Sequence, residues 1–204
     1  MIPLEDSVVV LLCAGLSERF GQGNKLLAPL DGKPLVAHAA ELCTRIPLAG
    51  RIAVVPAREP ALKALLLELG FDLVVNPHPE TGKDSSLRLG LGRALARDPR
   101  GVLVLLGDMP HINLAHLAAL CAAANDEIAA ISSAGGHVSP PTLIPAEAAR
   151  QVTTIVDQSV RESLGRLAEV AAPPSILADY DFPEQFGPTT EPARNPVCRD
   201  SGNG

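Results

Sequence analysis

Residues 8–25 read VVVLLCAGLSERFGQGNK, and the reading of this stretch decides the fold. Its first part, 8–12, is a continuous apolar run, β-branched at the start and followed closely by Ala14-Gly15. A strand covered on both faces of a parallel sheet needs such a run, because neither face tolerates a polar side chain. The second part is a small, polar loop. Gly15, Gly21 and Gly23 let the backbone approach a ligand closely, while Ser17, Arg19, Asn24 and Lys25 supply donors and positive charge. That mixture suits a polyphosphate. A glycine-rich turn after a first strand also occurs where it only turns the chain, so the two cations carry the weight of the reading. Two common nucleotide loops are excluded by spacing, since neither G-x-x-x-x-G-K-[ST] nor G-x-G-x-x-G is present. The second expected strand, 51–55, leads into Pro56-Ala57 and not into the acid that would hold a ribose diol.

Composition narrows the function classes. A chain of 204 residues that is 47% hydrophobic is expected to bury about 70% of its unfolded surface without staples. With no Trp, one Tyr and a net charge of −6, it lacks stacking platforms and electrostatic attraction for nucleic acid. Cys13, Cys43, Cys121 and Cys198 stand far apart with no C-x-x-C pair, which signals neither a zinc site nor a disulfide framework. Glu5 and Asp6 stand where a signal peptide would carry positive charge, and no apolar run nears the roughly 20 residues of a membrane span. The expectation is a cytoplasmic protein with no membrane contact.

Outward from the opening stretch, a turn at Asp31-Gly32-Lys33 leads to a helix over 34–42 with proline in its first turn. Strand and helix patterns then alternate over 52–55, 61–69, 73–75, 85–96, 102–106 and 114–124. Such alternation predicts βαβ units, an α/β class and a mostly parallel sheet with right-handed crossovers. Farther on, 128–131 reads as a strand, 132–141, rich in Ser, Gly and Pro, as a loop or a short excursion, 147–152 and 159–170 as helices, 175–178 as a last strand and 183–186 as a turn of helix. From 187 there is no periodicity. The expected organisation is a single domain over 1–186 and a disordered tail over 187–204.

In open α/β sheets ligands sit beyond the carboxyl ends of the strands. Besides the opening loop, three such places stand out. The first follows the 73–75 strand, where Asn76-Pro77 leads through Gly82 to Ser85-Ser86-Leu87-Arg88. Asp84 or Ser85 is a good N-cap there, and capping alone would explain both serines. The second is Gly107-Asp108-Met109-Pro110, a carboxylate presented at the end of a buried strand. An isolated Asp in such a place often only turns or caps the chain. Opposite a glycine-and-lysine loop it also suits Mg²⁺, which takes one or two carboxylates plus phosphates and water. The third is Asp179-Tyr180-Asp181-Phe182-Pro183-Glu184, which as surface acids ahead of a short helix needs no function. His38, His78, His111 and His116 have no ligand spacing, and no G-x-S-x-G is present.

The opening loop resembles the L-x-A-G-x-S-x-R-F-G signature, followed by a lysine, of the MobA-like nucleotidyltransferases, and looks most like the molybdenum cofactor cytidylyltransferases among them. Those relatives usually have Ala at the place of Cys13 and space the lysine one residue closer. The resemblance runs from Val8 to Glu184 and includes N-P…G…S-S-L-R-x-G, Gly-Asp-Met-Pro and a D-x-D-T-P-E segment with Phe182 in place of Thr. It implies a three-layer, Rossmann-like nucleotidyltransferase fold and transfer of CMP from CTP to the terminal phosphate of molybdopterin, with Mg²⁺ or Mn²⁺ as cofactor. Arg19, Lys25 and Asp108 would be catalytic. Ala14, Gly15, Ser17, Gly21, Asn76, Gly82, Ser85 and Ser86 would bind the nucleotide, and Asp108 with Asp181 the metal.

The preference for CTP rests on Ala14-Gly15, where guanylyltransferases usually show G-G, and on the segment 76–90. Guanylyl or uridylyl transfer to another phosphorylated acceptor, such as a sugar phosphate, is the near alternative. Residues 136–144 are similar to the family's G-H-P-V-L-F segment, which faces the acceptor, with residues inserted. At 156–161 relatives show G-D-x-G-A-R, and only Asp157 and Arg161 match. Loss of both glycines leaves open a second class, a non-catalytic partner that binds the nucleotide or cofactor and serves a molybdenum hydroxylase or its chaperone.

Overall fold

The computed structural model describes residues 1–15, 20, 21, 23–155 and 158–186. The expected tail over 187–204 lies outside the described residues, as does Asp157. Seven strands form one sheet in the order β5-β4-β1-β6-β8-β7-β9. They are β1 (Ser7–Leu12), β4 (Gly50–Pro56), β5 (Asp72–Asn76), β6 (Gly101–Leu106), β7 (Ala129–Ala134), β8 (His137–Pro145) and β9 (Leu167–Ala171). β5, β4, β1 and β6 run parallel, β8 lies antiparallel to both β6 and β7, and β9 pairs parallel with β7. The sheet is therefore α/β and mostly parallel, as expected. A small antiparallel pair, β2 (Pro29–Leu30) and β3 (Lys33–Pro34), closes over the expected Asp31-Gly32 turn.

β1 explains the layering. Val8 to Leu11 are fully buried, and their side chains alternate between two cores. Val9 and Leu11 join the core formed with α1 (Leu35–Thr44), α2 (Pro60–Glu68) and α4 (Leu114–Ala123). Val8 and Val10 join the core on the opposite face, with α3 (Lys83–Leu95) and α5 (Ala146–Thr154). The short α6 (Val160–Ser163) adds Val160 to that second core. Helices on both faces of one sheet make three layers.

Three expectations fail beyond residue 130, each for a local reason. The stretch 132–141 is not a loop but the end of β7, a two-residue turn and the start of β8. Its prolines are tolerated because the β7–β8 register passes from Ile131↔Thr142 to Ser132↔Ser139, so Pro140 and Pro141 fall in the irregularity where no ladder N–H is required. Helix does not continue over 159–170, because α6 stops at Ser163 and Gly165 takes a φ of +68°. That left-handed residue frees 167–171 to pair as β9. No strand forms over 175–178, which turns instead.

α3 crosses the sheet closely at Gly90. A Cβ there would lie 2.4 Å from Val10 Cγ1 and 3.0 Å from Val54 Cγ2. Gly90→Val is expected to cost about 3 kcal/mol through overpacking, seen as a lower denaturant midpoint. Two residues on, Gly92 faces open space, and Gly92→Ala is expected to gain about 0.5–1 kcal/mol from helix propensity. Equal effects of the two changes would show that the crossing does not depend on close approach.

Candidate active site

Lys25, Asp108 and Asp181 meet at one point. Lys25 Nζ donates to Asp108 Oδ2 at 2.6 Å and to Asp181 Oδ1 at 2.5 Å, bringing together residues from the first, middle and last parts of the chain. Each arrives by a different local device. Lys25 opens a short 3₁₀ turn capped by Asn24, whose Oδ1 accepts from Leu26 N at 3.0 Å. Asp108 follows β6, and Gly107 N donates to Leu12 O at 3.0 Å, so the chain continues beside the end of β1. Asp181 sits on a strap outside the sheet. The strap is held where Tyr180 N donates to Asp108 O at 3.1 Å and where Gln185 Oε1 accepts from Asp181 N and Phe182 N. Gln185 Nε2 also donates to Asp179 O, so this one carboxamide shapes the turn that presents Asp181.

The strap has an aromatic anchor in a protein with few aromatics. Tyr180 OH and His111 Nε2 are 3.0 Å apart, Tyr180 packs edge-on against Phe186, and Phe186 does the same against Phe20 at 5.2 Å between ring centroids. The end of the opening loop and the strap are thus in direct contact. Sequence reasoning singled out neither Gln185 nor this ring contact, although the aromatic residues clustered over 180–186 were a signal.

The three charges lie on a cavity of about 430 Å³ beyond the ends of β1 and β6. Ala14, Gly15, Gly82 and Ser86 line it with Lys25, Asp108 and Asp181. Leu12, Leu26 and Leu106 give it an apolar side, and Lys83, also missed from sequence, adds a second cation. Ser85, Asn76 and Gly21 do not line it, and Ser17 and Arg19 lie outside the described residues. A neighbouring cavity of about 350 Å³ shares Gly15, Pro79 and Glu80 and extends to Arg58 and Glu59.

Neither Asp84 nor Ser85 caps α3. Gly82 stands at the N-cap with φ +102° and ψ 176°, a conformation open essentially to glycine alone, and the helix starts at Lys83. With no side-chain cap, the first amides of α3 begin at the cavity wall formed by Gly82 and Lys83. Asp84 reaches away to accept from Val160 N at 3.0 Å. Arg88 also turns away, donating to the carbonyls of Val152 and Gln158.

Burial pulls the Lys25 ammonium pKa down, but the Asp108 and Asp181 carboxylates outweigh it and hold Lys25 above its ordinary 10.5. Asp108 Oδ1 is buried and has no hydrogen-bond partner among the described residues. A buried carboxylate oxygen left so is costly, and it marks a place for a further positive ligand. The donor set fits a hard divalent cation, which prefers carboxylate oxygens and needs only one or two of them beside phosphates and water. No group of three His, Cys, Asp or Glu side chains is placed to hold a metal among the described residues, so Asp108 and Asp181 are the carboxylates at this point. Burial also pushes the Cys13 thiol up, and Cys43 to about 12, which leaves both as inert core groups.

Comparison with known proteins matches residues 9–170 to the MobA-like NTP transferase domain. The purine catabolism protein PucB of Bacillus subtilis is 30% identical over 195 residues, covering 87% of this chain and 92% of PucB. A probable molybdenum cofactor guanylyltransferase of Pyrococcus horikoshii is 31% identical over 108 residues, 52% of this chain and 50% of that protein. The crystal structure of Rv0371c from Mycobacterium tuberculosis shares the fold with a TM-score of 0.72 at 21% identity, covering 88% of this chain and 95% of that one. Among the described residues no helix is long and apolar enough to cross a membrane. With the family match running from inside β1 to inside β9, and so across the whole sheet, the chain belongs to the MobA-like NTP transferase family and is a nucleotidyltransferase.

Proposed function

We propose that the protein is a divalent-metal-dependent cytidylyltransferase that transfers CMP from CTP to the terminal phosphate of molybdopterin in the cytoplasm. The observation that carries this reading is the meeting of Lys25 with Asp108 and Asp181 on a cavity that begins at the end of β1. In the reaction an oxygen of the acceptor phosphate forms a bond to the α-phosphorus of the triphosphate. The bond from that phosphorus to the bridging oxygen breaks, and pyrophosphate leaves. No protein nucleophile is needed, because alignment and charge stabilisation supply the acceleration.

Each residue then has a task. Backbone amides of the 15–23 loop and the side chain of Arg19 take the β and γ phosphates, and Ala14, Gly15, Ser17 and Gly21 belong to the nucleotide-binding set. Lys25 neutralises charge at the α-phosphate. Asp108 and Asp181 would hold Mg²⁺ or Mn²⁺, which supplies positive charge to the phosphate oxygens when bound. Ser86, with Gly82, faces the nucleoside. Lys25 can leave the carboxylates for the phosphates because its stem is flexible and three hydrogens are available.

The second reading is guanylyl transfer, favoured by the name of the Pyrococcus relative. Against it stands Ala14-Gly15 in the opening loop. The four nucleoside triphosphates, each incubated with Mg²⁺ or Mn²⁺ and molybdopterin, separate these readings by pyrophosphate release. CTP is expected to be consumed at least tenfold faster than GTP. Consumption of GTP but not CTP would overturn the choice of donor. Tight CTP binding with no pyrophosphate from any triphosphate would favour a non-catalytic partner of a molybdenum enzyme.

A further inference from the structure

Asn76 is 1% exposed at the end of β5, behind the cavity wall and not on it. Its carboxamide orientation is fixed from one side: Oδ1 accepts from the backbone N–H of His78 at 2.9 Å, and a backbone N–H can only donate. The amide nitrogen must therefore face the other way. Nδ2 donates to Ser85 Oγ at 3.0 Å and to Ser86 Oγ at 2.8 Å. The Ser85 hydroxyl passes its own hydrogen to Gly82 O at 2.9 Å, so Ser85 is satisfied within the protein. The Ser86 hydroxyl, on the cavity wall, has no acceptor among the described residues. Asn76 takes one lone pair of the Ser86 oxygen and cannot accept its hydrogen, so Ser86 satisfies that hydrogen by donating to a ligand.

We propose that Asn76 is a positioning residue that fixes the hydrogen-bonding sense of Ser86, so that the cavity selects a base offering an acceptor at that point. The pyrimidine edge of cytosine offers O2 and N3 as acceptors, whereas guanine offers N1–H and the 2-amino group at the corresponding positions. A base that offers only donors there leaves the Ser86 hydrogen without an acceptor, a mismatch of about 10- to 100-fold in affinity. The proposal rests on the reading of the cavity as a nucleoside triphosphate site. It changes the expected role of Asn76 from a base or ribose contact to a residue that acts through Ser86.

Asn76→Asp tests it, because the carboxylate can still accept from His78 N–H but has no hydrogen to give. Ser86 would then donate inward and turn its oxygen to the ligand as an acceptor. The added charge lowers affinity for any triphosphate, so the readout is the ratio of CTP to GTP dissociation constants in the full-length protein. That ratio is expected to change about 10- to 100-fold toward GTP in Asn76→Asp and to move the same way in Ser86→Ala. Adding Asn76→Asp to Ser86→Ala is expected to have no further effect on it.

An unchanged ratio with both nucleotides weakened alike would reduce Asn76 to a structural residue and overturn the proposal. So would a shift that persists in the Ser86→Ala background. Should Asn76→Asp not fold, analogues of CTP carry the test on the wild type. Of 3-deaza-CTP and 2-thio-CTP, each weakened at one acceptor, one is expected to bind about tenfold more weakly to the wild type and no differently to Ser86→Ala. Equal binding of both analogues and CTP to the wild type would overturn the proposal. Failure of the nucleotide reading is distinguishable, since it appears as no triphosphate binding by the wild type. A wild type that binds triphosphates but prefers GTP would overturn both the choice of donor and the proposal.

Discussion

Asp108→Asn is expected to lower pyrophosphate release about 100- to 1000-fold while leaving the far-ultraviolet circular dichroism unchanged. Asp108 Oδ2 accepts from Lys25 Nζ, and Oδ1 is buried without a partner among the described residues. The amide would keep the shape but lose the negative charge, and its NH₂ would point a donor either at Lys25 or into the space where a positive ligand belongs. The metal dependence should move with the rate. Binding of Mn²⁺ in the presence of CTP, followed by electron paramagnetic resonance, is expected to weaken by at least tenfold. Activity within about threefold of wild type, with Mn²⁺ binding intact, would remove Asp108 from the reaction.

Lys25→Met is expected to be as severe for turnover, about 100- to 1000-fold, but to leave a different signature. Lys25 stands between two carboxylates, both within 2.6 Å of its nitrogen. Its removal takes away the cation that competes with a metal for both carboxylates, so Mn²⁺ is expected to bind the variant more tightly than wild type in the absence of nucleotide. Stability should change with pH in a defined direction. Because Lys25 is held above its ordinary 10.5 in the folded chain, its pairing contributes stability that is complete below that value and is lost as pH rises through the raised one. The gap in unfolding free energy between wild type and Lys25→Met is therefore expected to be level from neutral to about pH 10 and to shrink above it. A gap that instead grew with alkalinity would show that Lys25 does not act as a counterion there.

Residues whose role follows from burial and order along the chain were legible in the sequence, and those whose role follows from hydrogen-bond partners were not. Val8 to Leu11 could be read as a doubly covered strand because all four are apolar and both faces are core. Asp108 and Lys25 could be placed because strand ends share one edge of a parallel sheet. β8 was illegible because its prolines lie in a register irregularity that only the partner strand creates. β9 was hidden because a half-exposed edge strand such as LAEVA carries no alternation strong enough to separate it from a helix. Asn76 and Ser86 carry similar chemistry in the sequence. Only the structure separates the one that faces inward toward His78 N–H from the one that lines the cavity.

The placement of Asp181 on a strap beyond the last strand has a consequence for the nascent chain. During synthesis the sheet, the opening loop and Asp108 are all available before the strap leaves the ribosome. With Asp181 in its proposed role, a polypeptide unfinished at that point would be unable to spend nucleotide. Under the metal-holding role proposed for Asp181, competence would arrive only when the strap docks across Tyr180 and Phe186, so translation that stops short would yield silent protein and not a deregulated enzyme.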